Sequence, residues 1–111
     1  ANPSSMRVAI ENIATMNAEN KVLILGDMFE LEDEAEKEHR LLGQLIREKK
    51  FNKVYLCGKL FKAAVEEIPS VKYFETKTSL MEELKKSPVA NSTVLIKASR
   101  GIGLETIVDY L

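Results

Sequence analysis

Short apolar runs alternate along this chain with segments in which apolar residues recur every three or four positions. The runs are rich in leucine and β-branched residues, a composition typical of β-strands. A strand with little polar alternation is covered on both of its faces. The predicted strands cover residues 22–25, 53–57, 71–74 and 93–97.

The segments between these runs predict helices, because their apolar residues fall on one helical face. The first helix begins at Asn2, a capping residue that is followed by proline at the first helical position. A second helix opens at Asp33, a short one follows Gly58, and another is capped by Ser79 with Glu82 completing a capping box. The first helix carries the stripe Met6, Ile10, Ile13 and Met16, and the last carries Leu104, Ile107, Val108 and Leu111.

The order of these elements predicts the fold class. One helix comes first, and strand and helix then alternate four times. Such alternation requires right-handed crossovers and predicts an α/β, Rossmann-like fold, with a mostly parallel, doubly wound sheet and helices on both faces. We expect residues 1–111 to form a single domain. A first helix without a strand of its own indicates a fragment of a larger protein, cut near a domain boundary.

Composition narrows the class of protein. With 16 basic and 17 acidic residues the net charge is −1, which argues against nucleic acid as a partner. No apolar run approaches the roughly 20 residues of a membrane span, so we expect no membrane insertion. The single cysteine, Cys57, indicates a reducing compartment and is expected to be buried and inert. The expected location is cytoplasmic.

Several catalytic motifs are missing. A P-loop would need glycine at 53 and serine or threonine at 60, where the chain has lysine and leucine around Gly58-Lys59. The dinucleotide fingerprint fails at Thr106, and no Cys/His cluster or readable Ser/His/Asp spacing is present. The sequence therefore identifies no nucleotide site, metal site or catalytic triad of its own.

A cationic cluster follows the last predicted strand. Lys97 supplies a point charge, Ser99 a hydroxyl donor and Arg100 a two-pronged donor for carboxylate or phosphate. The start of the following helix adds free N–H groups. This pattern is typical of an anion site, and the alternative is a solvated basic turn in which Ser99 caps the helix.

An acidic loop follows the first predicted strand. Asp27 comes directly after the buried run and is a candidate for orienting a ligand or a basic neighbour. The acidic residues 32–36 are expected to complement the helix dipole and to stay solvated. His39 lies beside an apolar stripe, and a packed role is favoured over a catalytic one. Because the carboxyl ends of parallel strands share one edge, Asp27 and the cationic cluster are expected to face the same crevice.

Four short stretches in this order resemble a known family. They are Asn-Pro-Ser-Ser-Met-Arg at 2–7, Gly-Asp-Met-Phe-Glu-Leu at 26–31, Glu-His at 38–39 with Gly43, and Lys-Ala-Ser-Arg at 97–100. Together they resemble the C-terminal domain of the Mur ligases, over essentially the whole chain. The resemblance implies an ATP-dependent ligase of peptidoglycan precursor synthesis. The best-fitting member joins D-alanyl-D-alanine to UDP-N-acetylmuramoyl-tripeptide through an acyl phosphate.

The resemblance also implies a division of labour. The N-terminal and central domains of the same protein would hold the UDP sugar, ATP and Mg²⁺, while this domain closes over ATP and helps to bind the dipeptide. Asn2 would lie near the adenosine of ATP. Lys97, Ser99 and Arg100 would bind the dipeptide carboxylate or a phosphate oxygen, and Asp27 and Glu30 would shape the opposite side. No catalytic residue is expected within this fragment, which by itself should be inactive.

The chain departs from the family pattern at two places. Ala98 replaces the usual glycine, which tightens the turn, and the aspartate and tyrosine that normally precede Asn2 are absent. The alternatives are another Mur or folylpolyglutamate-type ligase and, from a different class, a stand-alone flavodoxin-like binding module.

Overall fold

The structure, a computed structural model, describes residues 2–29 and 31–99. Short 3₁₀ segments cover Glu32–Glu34 and Leu60–Glu67. The predicted helix beyond residue 103 lies outside the described residues. The helices and strands are α1 Pro3–Thr15, β1 Lys21–Gly26, α2 Ala35–Lys49, β2 Lys53–Cys57, β3 Lys72–Phe74, α3 Lys77–Lys86 and β4 Thr93–Lys97.

The described strands form one parallel sheet in the order β3-β2-β1-β4. β1 lies inside the sheet, where Leu23 pairs with Val54 of β2 on one side and with Leu95 of β4 on the other. This arrangement confirms the predicted α/β, doubly wound fold class. In the part of the chain that the structure describes, no helix is both long and apolar enough to span a bilayer.

Helices cover both faces of the sheet, and alternate strand residues enter two separate cores. Leu23 and Leu25 point into the core beneath α1, α2 and the 3₁₀ helix Leu60–Glu67. Val22 and Ile24 enter the opposite core, which includes Leu80 and Leu84 of α3. Residues 22–25 of β1 are fully buried, as expected for a strand that is covered on both faces.

Three details of the helices differ from the sequence prediction. Met16 is 50% exposed because α1 ends at Thr15, one residue before it. Asp33 does not cap α2, since a 3₁₀ turn occupies Glu32–Glu34 and α2 begins after it. The cap of α3 is Thr76, whose hydroxyl accepts from the Ser79 N–H, so that Ser79 is already inside the helix.

Candidate functional site

The carboxyl ends of β1, β2 and β4 meet at one edge of the sheet. Gly26 of β1 pairs with Cys57 of β2, and Leu25 pairs with Lys97 of β4. The residues that follow these pairs therefore lie side by side. They include Asp27–Phe29, which we call the post-β1 loop, and Ser99.

Asp27 caps the 3₁₀ helix that follows β2. Its Oδ1 accepts from the Phe61 N–H at 2.9 Å and its Oδ2 accepts from the Leu60 N–H at 3.0 Å. The residue is only 4% exposed. A carboxylate at a helix N-terminus satisfies backbone donors that would otherwise lack acceptors. The sequence identified Asp27 as a candidate for orienting a ligand or a basic neighbour. It did not indicate that the two carboxylate oxygens accept hydrogen bonds from residues 33 and 34 positions further along the chain.

Gly58 makes this cap possible. Its backbone has φ of +116°, a conformation that L side chains rarely adopt. A Cβ placed there would collide with the carboxyl group of Asp27. Tyr73 further holds the turn by donating its hydroxyl hydrogen to the Gly58 carbonyl at 2.8 Å. Glycine is thus required where the backbone passes the aspartate.

Ser99 is tied to the post-β1 loop by two hydrogen bonds. Its N–H donates to the Asp27 carbonyl at 3.0 Å, and its Oγ accepts from the Phe29 N–H at 2.8 Å. Because Oγ serves as acceptor for the loop, its own hydrogen is left for a second partner. The predicted helix cap by Ser99 concerns residues outside those described.

His39 supports the same loop from beneath. Its Nε2 accepts from the Met28 N–H at 3.0 Å, and its Nδ1 lies 2.6 Å from the Ala35 carbonyl. An N–H donor on one side and a carbonyl on the other define the neutral ring with hydrogen on Nδ1. The ring is fully buried and meets Phe61 edge to face, with centroids 4.6 Å apart. Burial lowers the pKa of His39 from 6.5, against the opposing effects of the Ala35 bond and of the Asp27 and Glu38 carboxylates.

The packed role predicted for His39 is confirmed, but its function as an acceptor was missed. The only signal in the sequence was a lone histidine on the buried stripe of α2. A buried imidazole needs partners for both of its nitrogens. That requirement predicts a hydrogen bond without saying which backbone group makes it.

The cationic cluster is described only in part. Lys97 ends β4 and is half-buried, and among residues 2–29 and 31–99 it has no ion-pair partner. Arg100 and Glu30 lie outside the described residues. The structure therefore brings Asp27 and Ser99 together and places Lys97 at the same edge, two residues before Ser99.

The acidic residues among 32–36 are exposed, as predicted. Glu34 lies 4.0 Å from Lys37, and Glu36 pairs with Arg40 one turn along α2. Such exposed pairs contribute little to stability. Within the described part of the chain, no three histidine, cysteine, aspartate or glutamate side chains gather as a metal site would require. These residues by themselves do not fit a magnesium ion.

Asn2 caps the N-terminus of α1 through both its side chain and its backbone. Its Oδ1 accepts from the Ser5 N–H at 2.8 Å, and its own N–H donates to the Ser5 Oγ at 3.2 Å. At the other end of α1, the Lys21 Nζ donates to the Ala14 carbonyl at 2.7 Å, so the end of the helix lies beside the start of β1. Ile13 near the end of α1 and Met16 at its C-cap lie against the start of β4, where Thr93 and Val94 line the same groove.

Cys57 is buried, as predicted, at 1% exposure. Burial raises the pKa of its thiol to about 11, and the Asp27 carboxylate adds to that effect while Lys77 opposes it. Because the thiolate is the reactive form, this cysteine is inert near neutral pH.

Two pockets lie away from this edge. One, of about 270 Å³, lies beside the start of β2 and is lined by Ile46, Phe51 and Ile68. The other, of about 340 Å³, is a groove between α1 and β4, at Ile13 and Leu95. Both are mainly apolar and neither includes the post-β1 loop. The polar edge is thus the better candidate for a charged ligand.

A parallel α/β sheet with polar groups gathered at its carboxyl edge is a Rossmann-like arrangement, and ligands of such sheets bind at that edge. The chain belongs to the family of the Mur ligase glutamate ligase domain, whose family model matches residues 1–100. This match confirms the resemblance that the four short stretches indicated.

Individual relatives agree with the family match. The UDP-N-acetylmuramoyl-tripeptide–D-alanyl-D-alanine ligase of Bacillus subtilis is 35% identical over 118 residues, covering 100% of this chain and 26% of that protein. The ligase of the same name from Rickettsia prowazekii is 34% identical over 113 residues, covering 99% of this chain and 25% of that protein. The chain therefore spans about a quarter of the length of the curated relatives it matches.

Solved structures show the same fold. A crystal structure of MurF from Acinetobacter baumannii superposes with a TM-score of 0.82 at 29% identity, covering 98% of this chain and 25% of that one. MurF from Thermotoga maritima, solved in complex with ADP, gives a TM-score of 0.79 at 19% identity, covering 99% of this chain and 25% of that one. At that identity the second likeness shows the fold alone.

Proposed function

We propose that this chain, as a single domain over residues 1–111, is the closing domain of a ligase that adds D-alanyl-D-alanine to UDP-N-acetylmuramoyl-tripeptide. The observation that carries the proposal is the set of donors at the carboxyl edge, in a chain whose relatives bear that enzyme's name. Those names favour D-alanyl-D-alanine as the substrate over the amino acid that another Mur or folylpolyglutamate-type ligase would add. The family match also favours a ligase over a flavodoxin-like module.

The edge supplies what the dipeptide carboxylate or an acyl phosphate needs. Ser99 has a hydroxyl hydrogen to donate, because its oxygen already accepts from Phe29. Lys97 adds a positive charge that no described residue neutralises, and Arg100 would add a two-pronged donor. Fixed donors of this kind lower a barrier by holding the reacting groups in place and excluding water.

Asp27 contributes indirectly in this proposal. Its carboxylate holds the 3₁₀ helix and its carbonyl holds Ser99, so it maintains the wall of the site. Its predicted contact with substrate stays a prediction. Asn2, at the start of α1, would lie beside the adenosine of ATP through the part of its amide that does not cap the helix.

ATP, when bound, would supply the phosphoryl group that activates the tripeptide carboxylate. We assign its binding and that of Mg²⁺ mainly to other domains of the full-length protein, since the described residues form neither a P-loop nor a metal cluster. We place the reaction in the cytoplasm, where the lone thiol of Cys57 stays reduced.

Phosphate release by the full-length protein tests the proposal. The protein is given ATP, magnesium and UDP-N-acetylmuramoyl-tripeptide, with and without D-alanyl-D-alanine. We expect release that depends on the dipeptide. Release that responds instead to a single amino acid would make the protein a sister ligase, and no release with any acceptor would refute the proposed activity.

Lys97→Met in the full-length protein should raise the Michaelis constant for the dipeptide, or lower turnover, by at least about tenfold. The substitution removes one positive charge from the anion site while it keeps the apolar part of the side chain. Arg100→Ala should act in the same direction. Steady-state kinetics with varied dipeptide measures both. Lys53→Met is the matched control, since Lys53 is an exposed strand lysine at the opposite edge of the sheet. Unchanged kinetics in Lys97→Met would remove Lys97 from the site.

A further inference from the structure

Three consecutive N–H groups of the post-β1 loop have acceptors from three different parts of the fold. Asp27 donates to the Cys57 carbonyl at 3.1 Å, Met28 to the His39 Nε2 at 3.0 Å, and Phe29 to the Ser99 Oγ at 2.8 Å. A carbonyl and a hydroxyl can accept at any ordinary pH. The imidazole can accept only while its ring is neutral.

We propose that His39 is a positioning residue for the anion site, because its Nε2 holds Met28 and thereby fixes the loop that orients the Ser99 hydroxyl. The proposal rests on the proposed function for its kinetic consequence, but its structural part stands on the hydrogen bonds alone. His39 itself is fully buried and would touch no substrate.

The link from His39 to Ser99 is short. Met28 lies between Asp27 and Phe29, and both of these neighbours bond Ser99, one through a carbonyl and the other through an N–H. Releasing Met28 therefore loosens the loop on both sides of the serine. The serine oxygen would then lose the fixed partner that directs its hydrogen outward.

The ring of His39 is held in the one tautomer that serves this role. The Ala35 carbonyl, one turn earlier on α2, takes the hydrogen on Nδ1 and leaves the Nε2 lone pair facing Met28. Packing against the edge-on Phe61 ring limits its rotation. A second proton would set an N–H of the ring against the N–H of Met28 and would break the contact.

The charged groups around His39 define how the contact responds to pH. Asp27 acts on it from the post-β1 loop and Glu38 from its own helix, while the Leu60–Glu67 helix presents the uncharged Phe61 ring. Burial outweighs the two carboxylates, so the folded pKa lies below 6.5. The stability that the neutral ring contributes is then complete above pH 6.5 and is lost as the pH falls through the lowered pKa of the folded state.

The first arm of the test uses the 111-residue chain, in which His39 is the only histidine. Nitrogen NMR of the ring should show hydrogen on Nδ1 and a pKa below 6.5. Amide exchange should then be compared for His39→Gln, His39→Leu and Leu42→Ala. Glutamine places an amide oxygen where Nε2 lies, leucine offers no acceptor, and Leu42 is an equally buried position on the same helix, 1% exposed.

We expect exchange at the Phe29 and Ser99 amides to rise at least tenfold in His39→Leu, relative to amides of β1, and to stay near the native rate in His39→Gln. Leu42→Ala should change these amides only as much as it changes the β1 amides. The proposal would be overturned if the ring carried its hydrogen on Nε2. It would also be overturned if the Phe29 and Ser99 amides responded equally to His39→Leu and to Leu42→Ala.

The second arm uses the full-length protein. His39→Leu should raise the Michaelis constant for the dipeptide at least fivefold at pH 8, while His39→Gln should stay within about twofold and lose the fall in activity at acid pH that His39 causes. A fall at acid pH that persists unchanged in His39→Gln would overturn the kinetic role. Failure of the proposed function would appear as no dipeptide-dependent phosphate release in the unmodified protein, a result separate from the amide-exchange outcome.

Discussion

Leu23→Ala should destabilise the domain by about 2–5 kcal/mol, the usual cost of truncating a buried leucine to alanine. Leu23 is fully buried in the inner strand β1 and packs in the core with Met6, Ile10 and Leu42. The core around it is formed by two helices and both adjacent strands, which cannot all move inward to fill the space. Denaturant unfolding of the chain measures the loss.

The matched control is Val8→Ala. Val8 is an aliphatic residue of α1, but it is 55% exposed. Its truncation should change the free energy of unfolding by no more than about 0.5 kcal/mol. A loss below about 1 kcal/mol for Leu23→Ala would be inconsistent with the two-sided burial of β1.

Asp27→Ala should lower the free energy of unfolding by about 3 kcal/mol, because two backbone N–H groups lose a charged acceptor at a buried position. The N–H of Phe61 is buried and that of Leu60 is partly buried, so water can replace the carboxylate only in part. Asp27→Asn should lose somewhat less, about 2 kcal/mol, since it keeps the volume and one acceptor while turning an NH₂ group toward a donor.

Asp33→Ala provides the comparison for charge alone. Asp33 is also acidic and lies in the same part of the chain, but it is exposed in the 3₁₀ turn before α2. Its replacement should be nearly neutral. Equal losses for Asp27→Ala and Asp33→Ala would contradict the capping role, and the same denaturant titration decides between these outcomes.

The sequence predicted the fold because burial on both faces leaves a local signature. The apolar run 22–25 and its counterpart 93–97 identify two strands, and they are neighbours in the sheet. Helix ends were less predictable, because several hydroxyl and carboxylate residues near each end can cap. Thr76 caps α3 where Ser79 was expected, three positions away.

The sequence predicted the location of the site at the carboxyl edge of the sheet, but not the hydrogen bonds within it. That Asp27 and Ser99 share one edge follows from parallel strands, whereas their hydrogen bonds depend on distances in the folded chain. Nothing local to His39 identifies Met28 as its donor, and nothing local to Asp27 identifies Leu60 and Phe61. Long-range partners of buried polar groups are fixed by tertiary packing, which a single sequence does not encode position by position.

The contacts that hold α1 to the rest of the domain affect how the domain moves. Its first turn is closed by Asn2 and Ser5, its last turn is tied to Lys21, and Met6, Ile10 and Ile13 are embedded in the core between. From Met6 to its last turn, α1 is thus held to the rest of the domain and should move with the sheet as one rigid body. A rotation of the chain at Asn2 should therefore carry the sheet and its polar edge with it.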